Sequence, residues 1–428
     1  FANGFSTSQT VGILAAMTSN YFLNNYITFQ EHRLKSIDLL RGLLSFYLIC
    51  SLGAFANIAV STYLFSLSSN WLVSSFVGAI FGAVWNFTLS SNFTWKSKWK
   101  MSDHSYDRNH YLVFLFAIFI FIKFALIKHV PLINDESYTL TISRYFSLSY
   151  FDHPPLMTWI SYLFHLFETQ SAHSFRAPHI IFGTLTSYFL YKIGCFIYSR
   201  QTGVFAAILY FISPFFFFSG GFFVVPDGLL NFSVAGATYF AIKIIFGNEN
   251  KTYFWLALGL LLALAFLSKY QSYFFALALF VAFLIWKREV FLNPNFYFSF
   301  IISVCGLLPV IIWNIENNFD SLSFHQTRSS FTFDIFHAVN SILLQSMFLL
   351  PTTTILICIS LVNYIQSKKR EESFLILLSF PTILIFNFFM MASENSFAHW
   401  SMMGWMLLIP MASNNINLFK SSLKKFLL

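Results

Sequence analysis

Long, unbroken apolar runs constrain this chain more than any other feature. Thirteen of them, near 9–29, 40–66, 71–94, 110–130, 177–197, 203–220, 229–246, 253–268, 271–286, 297–313, 341–362, 374–392 and 400–412, stay continuously apolar instead of alternating. A helix needs about 20 residues to cross a hydrocarbon core of about 30 Å, whereas a barrel strand shows about ten residues of alternation. The runs therefore predict an all-α polytopic membrane protein with about thirteen transmembrane helices. With 57% of residues hydrophobic and 10% charged, no soluble class fits.

Basic residues near span ends mark the cytoplasmic side of a membrane protein. With alternate loops assigned to alternate sides, 18 of the 25 Lys and Arg residues, from Arg33 to Lys425, fall on one side. That asymmetry, with attraction to anionic membrane lipids, accounts for the formal charge of +8 without nucleic-acid binding. Cys50, Cys195, Cys305 and Cys358 sit far apart inside apolar runs, which predicts buried thiols and neither a disulfide framework nor a metal cluster. The chain opens on Phe1 beside an apolar run with no basic leader, so it reads as a piece of a longer polypeptide without a visible signal peptide.

The opposite side holds a charge island in NDESYTLTISRYFSLSYFDHPPL, which sets Asp135, Glu136, Arg144, Asp152 and His153 between two apolar runs. Further polar groups share that side: Asp227 in VVPDG, Lys269 and Tyr270 in LSKY, Trp313 and Asn314 in WNIENNFDSLSFHQ, and His399 in ENSFAHW. Spanning helices bring these distant segments to a common plane. Residues 136–151 read as a surface-lying helix up to about 22 Å long, with Tyr138, Ile142, Tyr145 and Phe146 on one face.

The succession DESYTLTISR, YFDHPPLMTW, FRAP, VPDG, LSKY, WN and HW, over roughly 110–412, resembles the polyprenyl-phosphate-sugar-dependent glycosyltransferases of the GT-C fold. It is similar to the bacterial branch of the protein O-mannosyltransferase superfamily, which includes the lipid A aminoarabinose transferases. The resemblance implies that Asp135, followed by Glu136, is the catalytic base, and that Asp152 is the family's second acid, with His153 where relatives often carry Lys. The interval from Asp135 to Asp152 is shorter here than in the aminoarabinose enzymes, so the acceptor is not carried over.

A sugar on a polyprenyl phosphate already has a good leaving group. The enzyme must activate an acceptor hydroxyl and stabilise phosphate charge as the glycosidic bond breaks. Asp135 is the expected base, and Lys269, His153, Arg176 and Arg144 are expected phosphate or donor contacts. Asp227, Tyr270, Asn314 and His399 join the candidate donor site. Asp152 could bind a divalent cation or hold a sugar hydroxyl. One direct attack inverts the anomeric centre and needs no second nucleophile. Each residue has a plainer alternative. Asp135 and Glu136 could simply open an interfacial helix, Asp152 and His153 could be turn residues before Pro154, Asp227 an N-cap, and Lys269 a snorkelling cation. Trp313 and Trp400 read as interfacial anchors, and the loop with His325 and Arg328 as a lid or acceptor site.

NYFLNNYITF at 20–29 recurs as NFTLSSNFTW at 86–95, and both copies end a span on the basic side. Such repeats build transport-like folds. Residues 1–96 resemble the GtrA-like family, four-span proteins thought to move polyprenyl-phosphate sugars, with three spans visible here; the alternative is a packing module. Residues 97–109 read as a cytoplasmic linker and 110–428 as the transferase domain. Relatives of the first module often follow a cytoplasmic synthase of the lipid-linked sugar. The expectation is a bacterial inner-membrane glycosyltransferase with periplasmic site loops, a polyprenyl-phosphate sugar donor, and a lipid, glycan or protein acceptor. The alternative is a flippase for the lipid-linked sugar. A transporter, however, would place charge near mid-membrane, whereas these acids lie in loops.

Overall fold

The computed structural model describes residues 17–30, 33–68, 90, 94–95, 108–166, 172–327, 335–392 and 397–426, and every regular element among them is helical. Most of the expected run 71–94, the first half of 9–29, nearly all of the linker 97–109, Arg328 and Glu394 lie outside the described residues. Two compact units separate, one from Phe1–Arg108 with Asn417–Leu428, the other Asn109–Ile416.

In the first unit, α1 (Ile37–Ser68) follows a short wide turn at Asn24–Thr28. Both copies of the repeat close on the same backbone device, a hydrogen bond reaching five residues back: Phe29 N–H to Asn24 O at 2.8 Å and Trp95 N–H to Ser90 O at 3.0 Å. The equivalent residues Phe29 and Trp95 stack on each other, ring centres 4.5 Å apart and planes at 12°. Tyr21 stacks on Trp95 as well, and Phe46 meets its edge. Fully buried Asn25 holds this cluster, accepting from Trp95 Nε1 and Leu34 N–H, both at 2.9 Å, and donating to Leu34 O.

The second unit runs α2 (Arg108–Leu126), α3 (Asn134–Ile142), α4 (Leu156–Leu166), α5 (Arg176–Ile197), α6 (Arg200–Ile212), α7 (Pro214–Phe218), α8 (Pro226–Ile245), α9 (Thr252–Ser268), α10 (Ser272–Trp286), α11 (Pro294–Cys305), α12 (Leu308–Glu316), α13 (Asp320–Thr327), α14 (Ile335–Leu349), α15 (Pro351–Ser367), α16 (Arg370–Ala392) and, as far as Ile416, α17 (Met402–Phe426). Its core lies where α5 packs along α6 and α8, α8 along α9, and α9 along α11. Small residues allow the closest approaches, as is usual where lipid gives helices no hydrophobic reason to associate. A Cβ on Gly194 of α5 would meet Gly203 Cα of α6 at 2.8 Å.

Several expected spans are broken. The described residues contain four helices long and apolar enough to cross a membrane, or five if the bent pair α14–α15 counts as one, plus five shorter apolar helices. Prolines divide the runs. Run 203–220 ends its first helix at Ser213 ahead of Pro214, and run 341–362 bends by 103° at Leu350, held at φ 72° before Pro351. The two breaks meet, with the Ser213 hydroxyl 3.0 Å from Leu349 O. The surface-lying helix is shorter than expected, since α3 stops at Ile142. Of the cysteines, Cys50 is buried and Cys195 half-buried, but Cys305 and Cys358 are exposed, which corrects the expectation of four buried thiols. Their helices turn that face outward.

Asn25 serves three partners, so Asn25→Ala is expected to cost about 2–3 kcal/mol. The check is the thermal unfolding midpoint of the detergent-solubilised protein, which should fall; an unchanged midpoint would show that these bonds carry no stability.

Candidate functional site

Two adjacent carboxylates open α3, and the helix sends them to opposite environments, because neighbouring positions on a helix point about 100° apart. Asp135 is exposed, whereas Glu136 is fully buried. The Glu136 carboxylate accepts from Ile133 N–H at 3.1 Å, Val224 N–H at 3.0 Å, Arg176 Nε at 2.8 Å and Arg176 Nη2 at 2.5 Å. Arg176, at the start of α5 and equally buried, gives its remaining N–H groups to the carbonyls of Ile127, Val130 and Pro131. All five guanidinium donors are thereby used. Two expectations are corrected on this physical ground. Glu136 has no face toward a substrate and Arg176 no N–H left for a donor phosphate; together they form an internal strut.

The strut holds the segment that delivers the next acid. Residues 219–225 run between α7 and α8, fully enclosed, with Phe222 and Phe223 under the Arg176 guanidinium at 4.8 and 5.5 Å. Gly183 of α5 lies against this strap so closely that a Cβ there would meet Gly221 Cα at 2.4 Å. The strap leads into Pro226, whose fixed φ suits a first helical turn, and Asp227 follows beside it. Lys269 ends α9 in an extended conformation (φ −161°, ψ 142°) and donates from Nζ to Asp227 Oδ1 at 2.8 Å. Both side chains are largely buried, at 7% and 12% exposure, which leaves a narrow opening to the ammonium.

His399, in the short turn Ala398–Ser401, lies parallel to Phe215 at 6.1 Å and to Phe397 at 5.5 Å. Burial first, then the Lys269 charge, push its imidazole down to about 4, so the ring is neutral above that pH. Asp227 lies within electrostatic reach of Lys269, His399 and His153. Although Asp135 keeps an exposed surface, the protein crowds one side of its carboxyl and pushes it above the usual carboxylate range, first by that desolvation and next by the Asp227 charge, with Lys269 opposing and Glu136 adding to the rise. Asp135, His153, Asp227, Lys269 and His399 thus form one cluster drawn from five separate stretches of sequence.

A second polar group adjoins it. Tyr138 lies within electrostatic reach of Asp152, and its phenol is pushed up first by burial and then by that carboxylate. The Tyr270 phenol, next to Lys269 in sequence, is raised by burial and faces Ser321, Ser149 and Asn314. Asn314 is 9% exposed and donates to Val310 O at 2.9 Å. The short helix α13 packs over this loop, with Ser321 Oγ bonded to Tyr150 O at 3.3 Å and Phe324 edge-on to Phe151 at 4.9 Å. Arg144 is exposed beyond the end of α3, and no contact joins it to either group among the described residues. Among the described residues no three His, Cys, Asp or Glu side chains gather as metal ligands.

Two participants escaped the sequence reading. Tyr138 was read only as part of an apolar face. Lys123 lies inside run 110–130, where a lone lysine in nineteen apolar-rich residues is itself a signal.

Comparison with known proteins agrees with this architecture. Residues 152–313 match the family described as dolichyl-phosphate-mannose-protein mannosyltransferase, and residues 1–95 match the GtrA/DPMS transmembrane domain. Among solved structures, ArnT from Cupriavidus metallidurans bound to undecaprenyl phosphate is similar at 15% identity and a TM-score of 0.55, over 72% of this chain and 60% of that one. The chain thus spans less than two thirds of that relative's length. No curated protein sequence matches. The protein is a multi-pass membrane protein with a GT-C glycosyltransferase fold. Residues 152–313 are thus similar to that mannosyltransferase family, and the GtrA-like segment precedes them in the chain.

The opposite fates of the twin acids give a direct test. Glu136→Ala leaves a buried guanidinium uncompensated and is expected to cost about 3–5 kcal/mol, while Asp135→Asn, at an exposed site, should stay within about 0.5 kcal/mol. Thermal unfolding of the two variants side by side checks this; equal losses would reverse the assignment.

Proposed function

We propose that the protein is a glycosyltransferase that takes a sugar from a polyprenyl-phosphate donor and passes it to a hydroxyl-bearing acceptor in one displacement, with Asp135 as general base. The observation that carries this reading is the cluster itself, in which a raised, accessible carboxylate faces a cation held in place by a second acid. Asp135 in its ionised form accepts the acceptor's proton as the hydroxyl attacks the anomeric carbon, and its raised affinity for protons makes it a better base than an ordinary aspartate. The bond from anomeric carbon to phosphate oxygen breaks as the new glycosidic bond forms, and the electron pair leaves on the phosphate. Lys269 uses one N–H on Asp227 and can present the others to that phosphate, and neutral His399 can donate one hydrogen bond. Tyr138, Tyr270 and Asn314 offer hydroxyl and amide groups suited to sugar hydroxyls, with Asp152 beside them.

The likeness to ArnT bound to undecaprenyl phosphate supports a polyprenyl-phosphate donor for this chain as well. The crowding of basic residues on one side of the predicted spans supports a site on the extracytoplasmic face of a bacterial inner membrane. Residues 1–96 would then serve as a GtrA-like module that brings the lipid-linked sugar to that face, joined by 97–109 to the transferase domain 110–428. The acceptor class covers lipid, glycan and protein.

The test is release of free polyprenyl phosphate from a labelled polyprenyl-phosphate hexose by purified protein, with membrane extract as acceptor. Asp135→Asn should lower turnover by about 10²–10⁴. Movement of donor across vesicles with no release would instead establish a flippase. The pH profile provides a second check. Activity should fall, as pH drops, through an acid limb set by Asp135. Asp227→Asn removes a negative neighbour and should move that limb down, whereas Lys269→Met removes a positive one and should move it up, each by about one pH unit. Shifts of the same sign would sink Asp135 as the titrating base.

A further inference from the structure

Lys123 stands near the end of α2 with 1% of its surface exposed. Its Nζ donates to Gly221 O at 2.9 Å and lies 5.4 and 5.0 Å from the ring centres of Phe211 and Phe217. Among the described residues it pairs with no carboxylate. An ammonium enclosed among apolar side chains without a counter-ion is costly, and methionine would fill nearly the same volume at no such cost. Ring faces and a single carbonyl are what this cation has in return.

That carbonyl belongs to the strap that feeds α8. Three side chains grip the strap: Tyr210 donates to Gly220 O at 2.9 Å, Lys123 to Gly221 O, and Glu136 accepts from Val224 N–H at 3.0 Å. The position of Gly221 is tightly bounded, since a Cβ there would lie 2.6 Å from Gly183 Cα and 3.0 Å from Lys123 Nζ. Asp227 stands just past the strap, on the first turn of α8, and its carboxylate holds the Lys269 ammonium. An error in the strap would pass along the rigid start of the helix into that pair.

We propose that Lys123 is a positioning residue: by fixing the Gly221 carbonyl from within the packed core it sets the start of α8, and with it the place of Asp227 and of the Lys269 ammonium bonded to it. The inference rests on the reading of Lys269 as the contact for a donor phosphate. It assigns to a buried lysine, in a helix that reaches no reacting atom, control over where the anion-binding charge stands.

The test uses the full-length purified protein and polyprenyl phosphate as probe. Lys123→Met should weaken binding about tenfold, while Lys123→Arg, which keeps a donor, should stay within about twofold. In the Asp227→Asn background, Lys123→Met should add no further loss, because its route to Lys269 is already cut. Equal losses in both backgrounds, or unchanged binding in Lys123→Met, would overturn the proposal. A second readout does not depend on the donor. After reductive carbon-13 methylation, the Lys269 resonance, identified by its disappearance in Lys269→Arg, should move in Lys123→Met and in Gly221→Ala, which displaces the strap without altering charge. An unmoved resonance in both would overturn the proposal even where polyprenyl phosphate binds. Failure of the wild type to bind polyprenyl phosphate sinks the donor reading alone, and a moved resonance would still establish the positioning role.

Discussion

The ion pair between Glu136 and Arg176 is the interaction on which the rest of the membrane unit hangs. Both side chains are fully buried, so each carries a desolvation cost of several kcal/mol that their mutual attraction offsets only with good geometry. That geometry is met by closure, with every guanidinium N–H used and the carboxylate accepting four bonds. Such a pair contributes little net stability compared with an apolar replacement, but breaking half of it is severe. What it supplies is register. The segment after α2, the first turn of α3, the start of α5 and the strap before α8 are tied at one point, with Asp135 on that turn of α3 and Asp227 just past the strap on α8.

The unit sorts its charges by depth and partner. Glu136, Arg176 and Lys123 are enclosed and face backbone or each other. Asp227 and Lys269 stand at the margin, paired but narrowly exposed, and Asp135 lies outermost with a proton affinity raised by its neighbours. In a membrane protein this gradient has a simple origin. A charge in hydrocarbon survives only when its hydrogen bonds close internally, while a charge that must meet a ligand needs at least one direction left open. The buried charges therefore define the frame and the marginal ones the chemistry. The aromatic rings around them, Phe222 and Phe223 under Arg176 and Phe215 beside His399, keep water away from both sets.

In the first unit the repeat has a physical meaning that its sequence only hinted at. Each copy ends in the same five-residue turn, and the two equivalent aromatic residues, Phe29 and Trp95, stack face to face. Asn25 breaks the equivalence by bonding Trp95 of the other copy. Spacing could reveal that the copies match, but not that they touch, because stacking depends on how the intervening segment returns the chain.

Continuous apolar runs were enough to determine a helical membrane protein, and the scarcity of charge put forward Asp135, Asp227 and Lys269 as site candidates along with Glu136, Arg144 and Arg176, since a bilayer tolerates few such residues without purpose. Run length suggested unbroken spans where the helices break, at Pro214 and Pro351. Only the tertiary structure could divide Asp135 from Glu136, turn Arg176 from a candidate ligand into a strut, and draw Lys123 into the frame. The reason is that role follows from which face of a helix meets the core and whether every polar atom there is already bonded. Those facts belong to the packing of distant segments and are written in no single stretch of residues.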